Sequence, residues 1–259
     1  MIALLLLTFS QYAIAQATIA DIREQIAKGE CETAQSLYNV YKAMNGTNKT
    51  IEREIADCIT GSSSSHGGTG TADGHEYVDL GLPSGTLWAT CNVGASKPED
   101  YGSYFAWGET QTKTNYNWYT YKYVDGDNLT KYAGSDGLTS LQGGDDPATA
   151  KWGGGWHTPS ETQWGELLAN TANKWTTRNG KQGCLFTSKK NGQTIFLPAA
   201  GYRWDSELDD ADSHGLYWSR SLRTVYLGSA WGLRFYSGDC NMSNYSRPSG
   251  FSVRPVREK

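Results

Sequence analysis

The chain has 259 residues, 38% hydrophobic, 12% aromatic and 19% charged, with 30 Gly and 10 Trp, which suits one medium globular domain plus a smaller piece. A formal net charge of -4 gives no electrostatic reason to expect nucleic acid, whose binders usually carry a basic face, so that class is set aside. Five Cys without C-x-x-C spacing and four His scattered along the chain give no zinc pattern, and no metal or cofactor is expected.

Residues 1–16, MIALLLLTFSQYAIAQ, form an apolar run too short to span a bilayer, ending in the small-x-small pattern Ala13-Ile14-Ala15. They are expected to be a signal peptide, although no Lys or Arg precedes the run. The expected location is therefore periplasmic, cell-surface or extracellular. In an oxidising compartment an odd number of Cys leaves at least one thiol unpaired or shared between chains.

Residues 17–60 read as helices. Ile19, Ile22 and Ile26 make one stripe and Ala34, Leu37, Tyr38 and Tyr41 another, with breaks at Gly29 and Gly46, and NKTIEREIADC supplies a third helix. The first two resemble a single tetratricopeptide-type hairpin. One such unit buries little core, so a Cys31–Cys58 disulfide is the expected staple. Residues 61–74, GSSSSHGGTGTADG, read as a flexible linker spanning roughly 20 Å.

From 75 to 259 the composition shifts to Gly, Trp and Tyr with short apolar runs. HEYVDLGLPSGTLWATCNVGA suggests two strands about a Pro-Ser-Gly turn. HTPSETQWGELLANT is the clearest helix, with Thr158 as its cap, Pro159 in its first turn, Glu161 closing a capping box, and Trp164, Leu167 and Leu168 facing inward. TIFLPAAGY, GLYWSRS, AWGLRFY and FSVRPVR follow as short strands. The expected class is α+β with a mainly antiparallel sheet, preceded by a small α-helical hairpin.

Ser219 to Gly250 stands apart. It holds three Tyr, four Arg, a Trp, a Phe and a Cys, and no Lys, Glu or Gln over 32 residues, although those three are the usual cover of a solvated surface. HEYVDLGLPSGTLWATCNVGA, PEDYGSYFAWGET, IFLPAAGYR, GLYWSRS and GFSVRPV together resemble the Fibrobacter succinogenes major paralogous domain of secreted gut-bacterial proteins. That family is related to the formylglycine-generating-enzyme type of C-type lectin fold. HTPSETQW is similar to that fold's Pro-Thr-Glu-x-x-Trp helix start and GFSVRPVR to its closing strand.

The resemblance implies a ligand-binding protein whose last strands, in some members, are the target of a diversity-generating retroelement. Such mutagenesis acts at adenines, mostly in AAC or AAT codons. Its products include Asn, Ser, Tyr, Asp, Arg, Gly and Cys but never Lys, Glu or Gln. Against the family pattern, Tyr217, Trp218, Ser219, Ala230, Trp231, Leu233, Phe235, Arg247, Gly250, Val253 and Arg254 are expected to be scaffold. Arg220, Arg223, Val225, Tyr226, Leu227, Ser229, Arg234, Tyr236, Asp239, Cys240, Asn241, Ser243 and Tyr245 are expected to form the contact surface for a protein or cell-surface ligand. Tyr and Arg suit that role because they supply much contact area per residue.

Three rivals are weighed against this reading. A formylglycine-generating-type enzyme would need a Cys pair, and Cys240 has no second Cys near it in sequence; no G-x-S-x-G elbow or phosphate loop is present, so no catalytic residue is assigned. Calcium-dependent sugar binding would need Glu-Pro-Asn, Gln-Pro-Asp or Trp-Asn-Asp, all absent, and Asp125–Gly137 lacks the Glu of an EF-hand loop, so it reads as a solvated loop. A fixed-specificity adhesin or appendage-tip component remains, and sequencing sibling isolates separates it from a diversified binder.

Overall fold

A computed structural model describes residues 17–28, 30–60 and 68–259. The expected signal peptide, 1–16, and the first part of the expected linker, 61–67, lie outside the described residues. The chain divides into two compact units, Met1–His66 and Gly67–Lys259.

The first unit is helical: α1 Ile19–Ala27, α2 Cys31–Asn45 and α3 Lys49–Thr60. Thr18 caps α1 by accepting from Asp21 N, and Asp21 returns the bond to Thr18 N. Gly46 closes α2 at φ +80°, a conformation that costs a residue with a Cβ strain. Ile22, Ala34, Tyr38, Ile51 and Ile55 are the fully enclosed core. So small a core gains from a covalent clip, and Cys31 and Cys58 are disulfide-bonded, Cα atoms 5.6 Å apart.

The second unit is mixed α/β, with several small antiparallel sheets. The first contains β1 Thr69–Ala72, β2 His75–Asp79, β3 Leu87–Ala89 and β14 Val256–Arg257, in that order. β1 corrects the linker reading, which ran to Gly74. Asp73 at φ 49° and Gly74 at φ 80° make the tight turn that folds Thr69–Ala72 back on His75–Val78. Trp156 Nε1 then donates to Ala72 O at 3.3 Å, and Arg257 pairs with Asp73 at 2.5 Å.

β4 Val124–Asp125 and β5 Asn128–Leu129 form a small hairpin, followed by helices α4 Pro147–Trp152 and α5 Glu161–Asn170. The α5 cap is Ser160, which accepts from Gln163 N while Gln163 returns to Ser160 N, not Thr158. Thr158 is fully buried and gives both its N–H and its hydroxyl to the Asp146 carboxylate. Asp146 also caps α4, so one buried carboxylate fixes two chain segments. Trp164 and Leu167 are buried as expected, while Leu168 is only half-buried.

β6 Thr171–Arg178, β7 Lys181–Ser188 and β8 Thr194–Pro198 form a three-stranded sheet, and β9 Tyr202–Trp204 pairs with β10 Glu207–Asp209. A second three-stranded sheet, β11 Gly215–Leu222, β12 Ser229–Tyr236 and β13 Asp239–Ser246, carries the candidate residues. Both of its faces meet core. Tyr217, Leu233 and Phe235 join one aromatic and aliphatic cluster with Trp88, Trp164, Leu167 and Phe186. Leu216, Trp218, Leu222 and Ala230 join the other, with Trp107, Tyr121, Tyr132 and Phe251. A sheet held between two clusters leaves ligand-accessible surface only at its ends and along its edge strand.

Candidate ligand-binding face

Directly paired residues of an antiparallel sheet project from the same side. The register therefore sorts the candidates into rows. Ala230–Tyr245, Gly232–Ser243, Arg234–Asn241 and Tyr236–Asp239 occupy one face of β12–β13, and Trp231–Asn244, Leu233–Met242 and Phe235–Cys240 the other. The expected alternation within AWGLRFY holds where it matters: Leu233 and Phe235 are fully buried, Arg234 is half-buried and Tyr236 is exposed.

The open end of this face is a compact polar and aromatic group. The Arg234 guanidinium lies 5.5 Å from the Tyr236 ring centre, and its Nη2 is 3.4 Å from Asp239 Oδ2. Asn241 Nδ2 donates to the same Asp239 oxygen. His214, just ahead of β11, packs its ring 5.3 Å from that of Tyr236. Sequence reasoning did not reach His214, because it stands in a turn outside the strands and only the fold brings it to Tyr236.

The other candidates collect in the β11–β12 turn, residues 223–228, at the opposite end of an eight-residue strand, about 23 Å away. There Val225 and Tyr226 are 66% and 64% exposed. Arg223 lies 4.6 Å from the Trp231 ring and 6.0 Å from that of Tyr226. Trp118 lies against Gly228, and its neighbour Tyr119 is wholly exposed. The expected single surface is thus two clusters at opposite ends of the sheet, with the half-buried Ser243 and the exposed Asn244 of the edge strand β13 between them on opposite faces.

Several candidates have structural work instead. Arg220 Nε donates to Ser140 Oγ and its Nη2 to Leu141 O, both at 3.0 Å, which completes a bridge between Ser140 and Ser221. Leu227 packs on the aromatic cluster of Trp107 and Phe251, and Ser229 is half-buried opposite Ser246. Tyr245 lays its ring 5.0 Å from that of Phe251. Gly232 permits this, since a Cβ there would sit 3.3 Å from the Tyr245 ring and 2.9 Å from Tyr217 O. Burial pushes the Tyr245 phenol up from its ordinary value.

Cys240, expected to be exposed, is half-buried on the inward row and packs toward Cys184 of β7, because its partner Phe235 faces the core. Among the expected scaffold, Trp231 is only half-buried, with Arg223 as its cover.

The electrostatics of the face are set by unspent donors. Among the described residues, four buried side-chain polar atoms lack a hydrogen-bond partner: Trp88 Nε1, Arg223 Nε, Arg234 Nε and Tyr245 Oη. Three of the four lie within residues 220–245. Orphaned polar atoms are scarce in folded proteins, so this clustering marks the stretch as different from the rest of the unit. Among the described residues, no group of three or more His, Cys, Asp or Glu is placed to hold a metal ion. The chain is similar, over residues 175–256, to a family described as a domain of unknown function, DUF8237, which runs from within β6 to the start of β14. No curated protein and no solved structure matches the chain.

Proposed function

We propose that residues 75–259 are a C-type lectin-like domain of the Fibrobacter succinogenes major paralogous type, carried by an exported protein, and that it binds a protein or cell-surface ligand. The binding face is the open end of β12–β13, at Arg234, Tyr236, Asp239 and Asn241, with the β11–β12 turn, and a diversity-generating retroelement is the source of its residues. The observation that carries this reading is the pair of half-buried arginines, Arg223 and Arg234, each beside an exposed Tyr and each with an unpartnered Nε. A ligand carboxylate or carbonyl placed there would fill bonds that the fold leaves open. The exposed Val225, Tyr226 and Tyr236 supply apolar contact area around them.

Among the described residues no helix is long and apolar enough to cross a membrane. The Cys31–Cys58 disulfide is compatible with export.

A fixed-specificity adhesin is the second reading. It is favoured by Arg220, Leu227 and Tyr245, whose structural contacts restrict what could replace them. The gene sequence from sibling isolates tests the choice. Substitutions concentrated at Arg223, Val225, Tyr226, Arg234, Tyr236, Asp239, Asn241 and Ser243 support diversification. An invariant or evenly scattered pattern overturns it and leaves the fixed binder.

A further inference from the structure

The open side of the edge strand β13 carries a pattern in its backbone. The register with β12 runs unbroken from Tyr236–Asp239 to Ser229–Ser246 and is closed by the two-residue turn Ser237–Gly238. Such a turn makes Tyr236 and Asp239 a hydrogen-bonded pair, and these pairs alternate along an antiparallel ladder. Asp239, Asn241, Ser243 and Tyr245 therefore bond to β12, and Arg247 N continues the series by donating to Gly228 O at 3.0 Å. Cys240, Met242, Asn244 and Ser246 turn their N–H and C=O groups the other way, where the sheet has no further strand.

Two of these outward groups are already used. Cys240 N donates to Asp239 Oδ1 at 2.8 Å, and Ser246 O accepts from Ser249 N at 3.1 Å. Among the described residues the rest have no hydrogen bond: Cys240 O, both groups of Met242, both groups of Asn244, and Ser246 N. Edges of this kind are usually guarded by Lys, Pro or a bulge. Cys240 to Ser246 has none of these and no charged residue, and the strand's one charge, Asp239, stands at its turn end. Asn244 is exposed and the other residues of the strand are half-buried.

We propose that β13 is an interface between two copies of this chain, which pair antiparallel about a two-fold axis at Ser243 and join their three-stranded sheets into one. The used and unused groups select that register. About Ser243, Met242 of one copy faces Asn244 of the other, and the free groups of both residues bond to each other on either side of the axis. Cys240 faces Ser246, so the free Ser246 N–H meets the free Cys240 C=O. The groups left opposite each other, Cys240 N and Ser246 O, are the two that already have partners. An axis at Met242 would set the occupied Cys240 N against a free Asn244 O, and an axis at Asn244 would set the occupied Ser246 O against a free Met242 N. An unrelated extended peptide has no reason to match this symmetry, which is why a second copy is the occupant.

The pairing uses backbone groups and register alone, and it holds whether or not the open end at Arg234 and Tyr236 binds a ligand. Its antiparallel sense sets the open end of one copy beside the Ser246 end of the other. Each rim of the joined sheet then carries the open end of one copy and the β11–β12 turn of its partner.

The test is sedimentation equilibrium of the full chain over a concentration series, where a reversible monomer–dimer equilibrium is expected. Asn244→Pro removes one outward N–H from each copy and leaves the ladder to β12 intact. It should raise the dimer dissociation constant about tenfold or more, with the melting temperature showing that the fold is kept. Ser243→Cys gives a readout that does not depend on weakening the protein. At the axis the two copies of position 243 form a non-hydrogen-bonded pair, whose close Cα atoms suit a disulfide. Mild oxidation should yield a dimer linked through position 243, mapped by mass spectrometry without reduction. Asn244→Cys, more exposed but off the axis, should not link to itself. Should Asn244→Pro fail to fold, the cross-link decides. The proposal is overturned if the wild type sediments as a monomer throughout or if a folded Asn244→Pro dimerises like the wild type. It is equally overturned if Asn244→Cys links to itself as readily as Ser243→Cys does.

Discussion

Arg247 and Arg254 differ from Arg223 and Arg234 in one respect that decides their roles: the first two bond through Nε as well as through their terminal nitrogens, and the second two leave Nε without a partner. Arg247 is fully buried, gives Nε to Tyr121 Oη at 2.8 Å and its other nitrogens to the carbonyls of Lys131, Tyr132 and Leu227, and lies 5.0 Å from the Trp107 ring. Arg254 bonds Asn92 Oδ1 and the carbonyls of Ala89, Thr90 and Phe196, and burial pulls its guanidinium below the ordinary value. Each buried guanidinium is a five-donor bracket: Arg247 fastens irregular segments, and Arg254 ties the end of β3 and the segment after it to β8. Arg247 holds Leu227, and so fixes the turn that carries Val225 and Tyr226. The difference teaches that Arg in this unit is either a bracket or a contact, and that the bracket positions the contact.

The comparison breaks most visibly at the bracket. Arg247→Ala strands three carbonyls in the interior, each worth about 1–3 kcal/mol, and removes the Nε bond to Tyr121 Oη, which keeps its own bond to Trp107 O, so a loss of about 4 kcal/mol or more is expected in urea unfolding. Arg247→Lys should recover little of it, because an ammonium cannot reproduce the planar fork. Wild-type stability in the Lys variant would show that charge, and not geometry, is what the site needs.

Next in size are the packed aromatics. Phe235→Ala and Trp218→Ala should each cost about 3–5 kcal/mol by leaving cavities in opposite clusters. Trp231→Ala, at a position expected to be scaffold but found half-buried, should cost about 1 kcal/mol, near the centre of the range for point substitutions. Equal losses at Phe235 and Trp231 would mean that the face is buried at both ends. In the helical unit, opening Cys31–Cys58 closes no contact elsewhere in its small core, and about 3 kcal/mol should be lost on reduction. Calorimetry with and without reductant reads it.

Much of this was legible in the letters, for stated reasons. Two-residue alternation in AWGLRFY placed Leu233 and Phe235 inward, and 3.6-residue periodicity located the helices from Ile19 to Thr60. What escaped depended on long-range pairing. DCNMSNYS has no apolar alternation, yet it becomes β13 because Ser229–Tyr236 offers it an edge of backbone donors and acceptors. Thr69–Ala72 reads as a linker for the same reason, until His75–Val78 provides its partner. Arg220, Arg223, Arg234 and Arg247 are indistinguishable as letters within one stretch. Only the positions of Ser140, Trp231, Asp239 and Tyr121 separate them.

The smallest effect on folding should accompany the largest on binding. Arg234→Ala and Tyr236→Ala each remove a side chain from the open end of the face. The interactions lost there are a half-exposed ion pair to Asp239 and a cation–ring contact. Half-exposed pairs of this kind are worth about 0–1 kcal/mol, and solvent screening keeps Arg234–Asp239 at the lower end. The expected stability loss is therefore about 0.5 kcal/mol or less per substitution. Binding should respond differently, because the Arg234 Nε has no intramolecular partner to fall back on, and truncating a central Arg or Tyr often costs about 2 kcal/mol or more. Arg234→Lys sharpens the point: it keeps the charge near Asp239 and removes the fork, so it should bind nearly as poorly as Arg234→Ala if a ligand oxygen takes the Nε bond. Calorimetric titration of any ligand recovered for the wild type against all three variants gives the ranking. Should Arg234→Lys bind like the wild type while Tyr236→Ala does not, the ring carries the contact and the unpartnered guanidinium nitrogen does not.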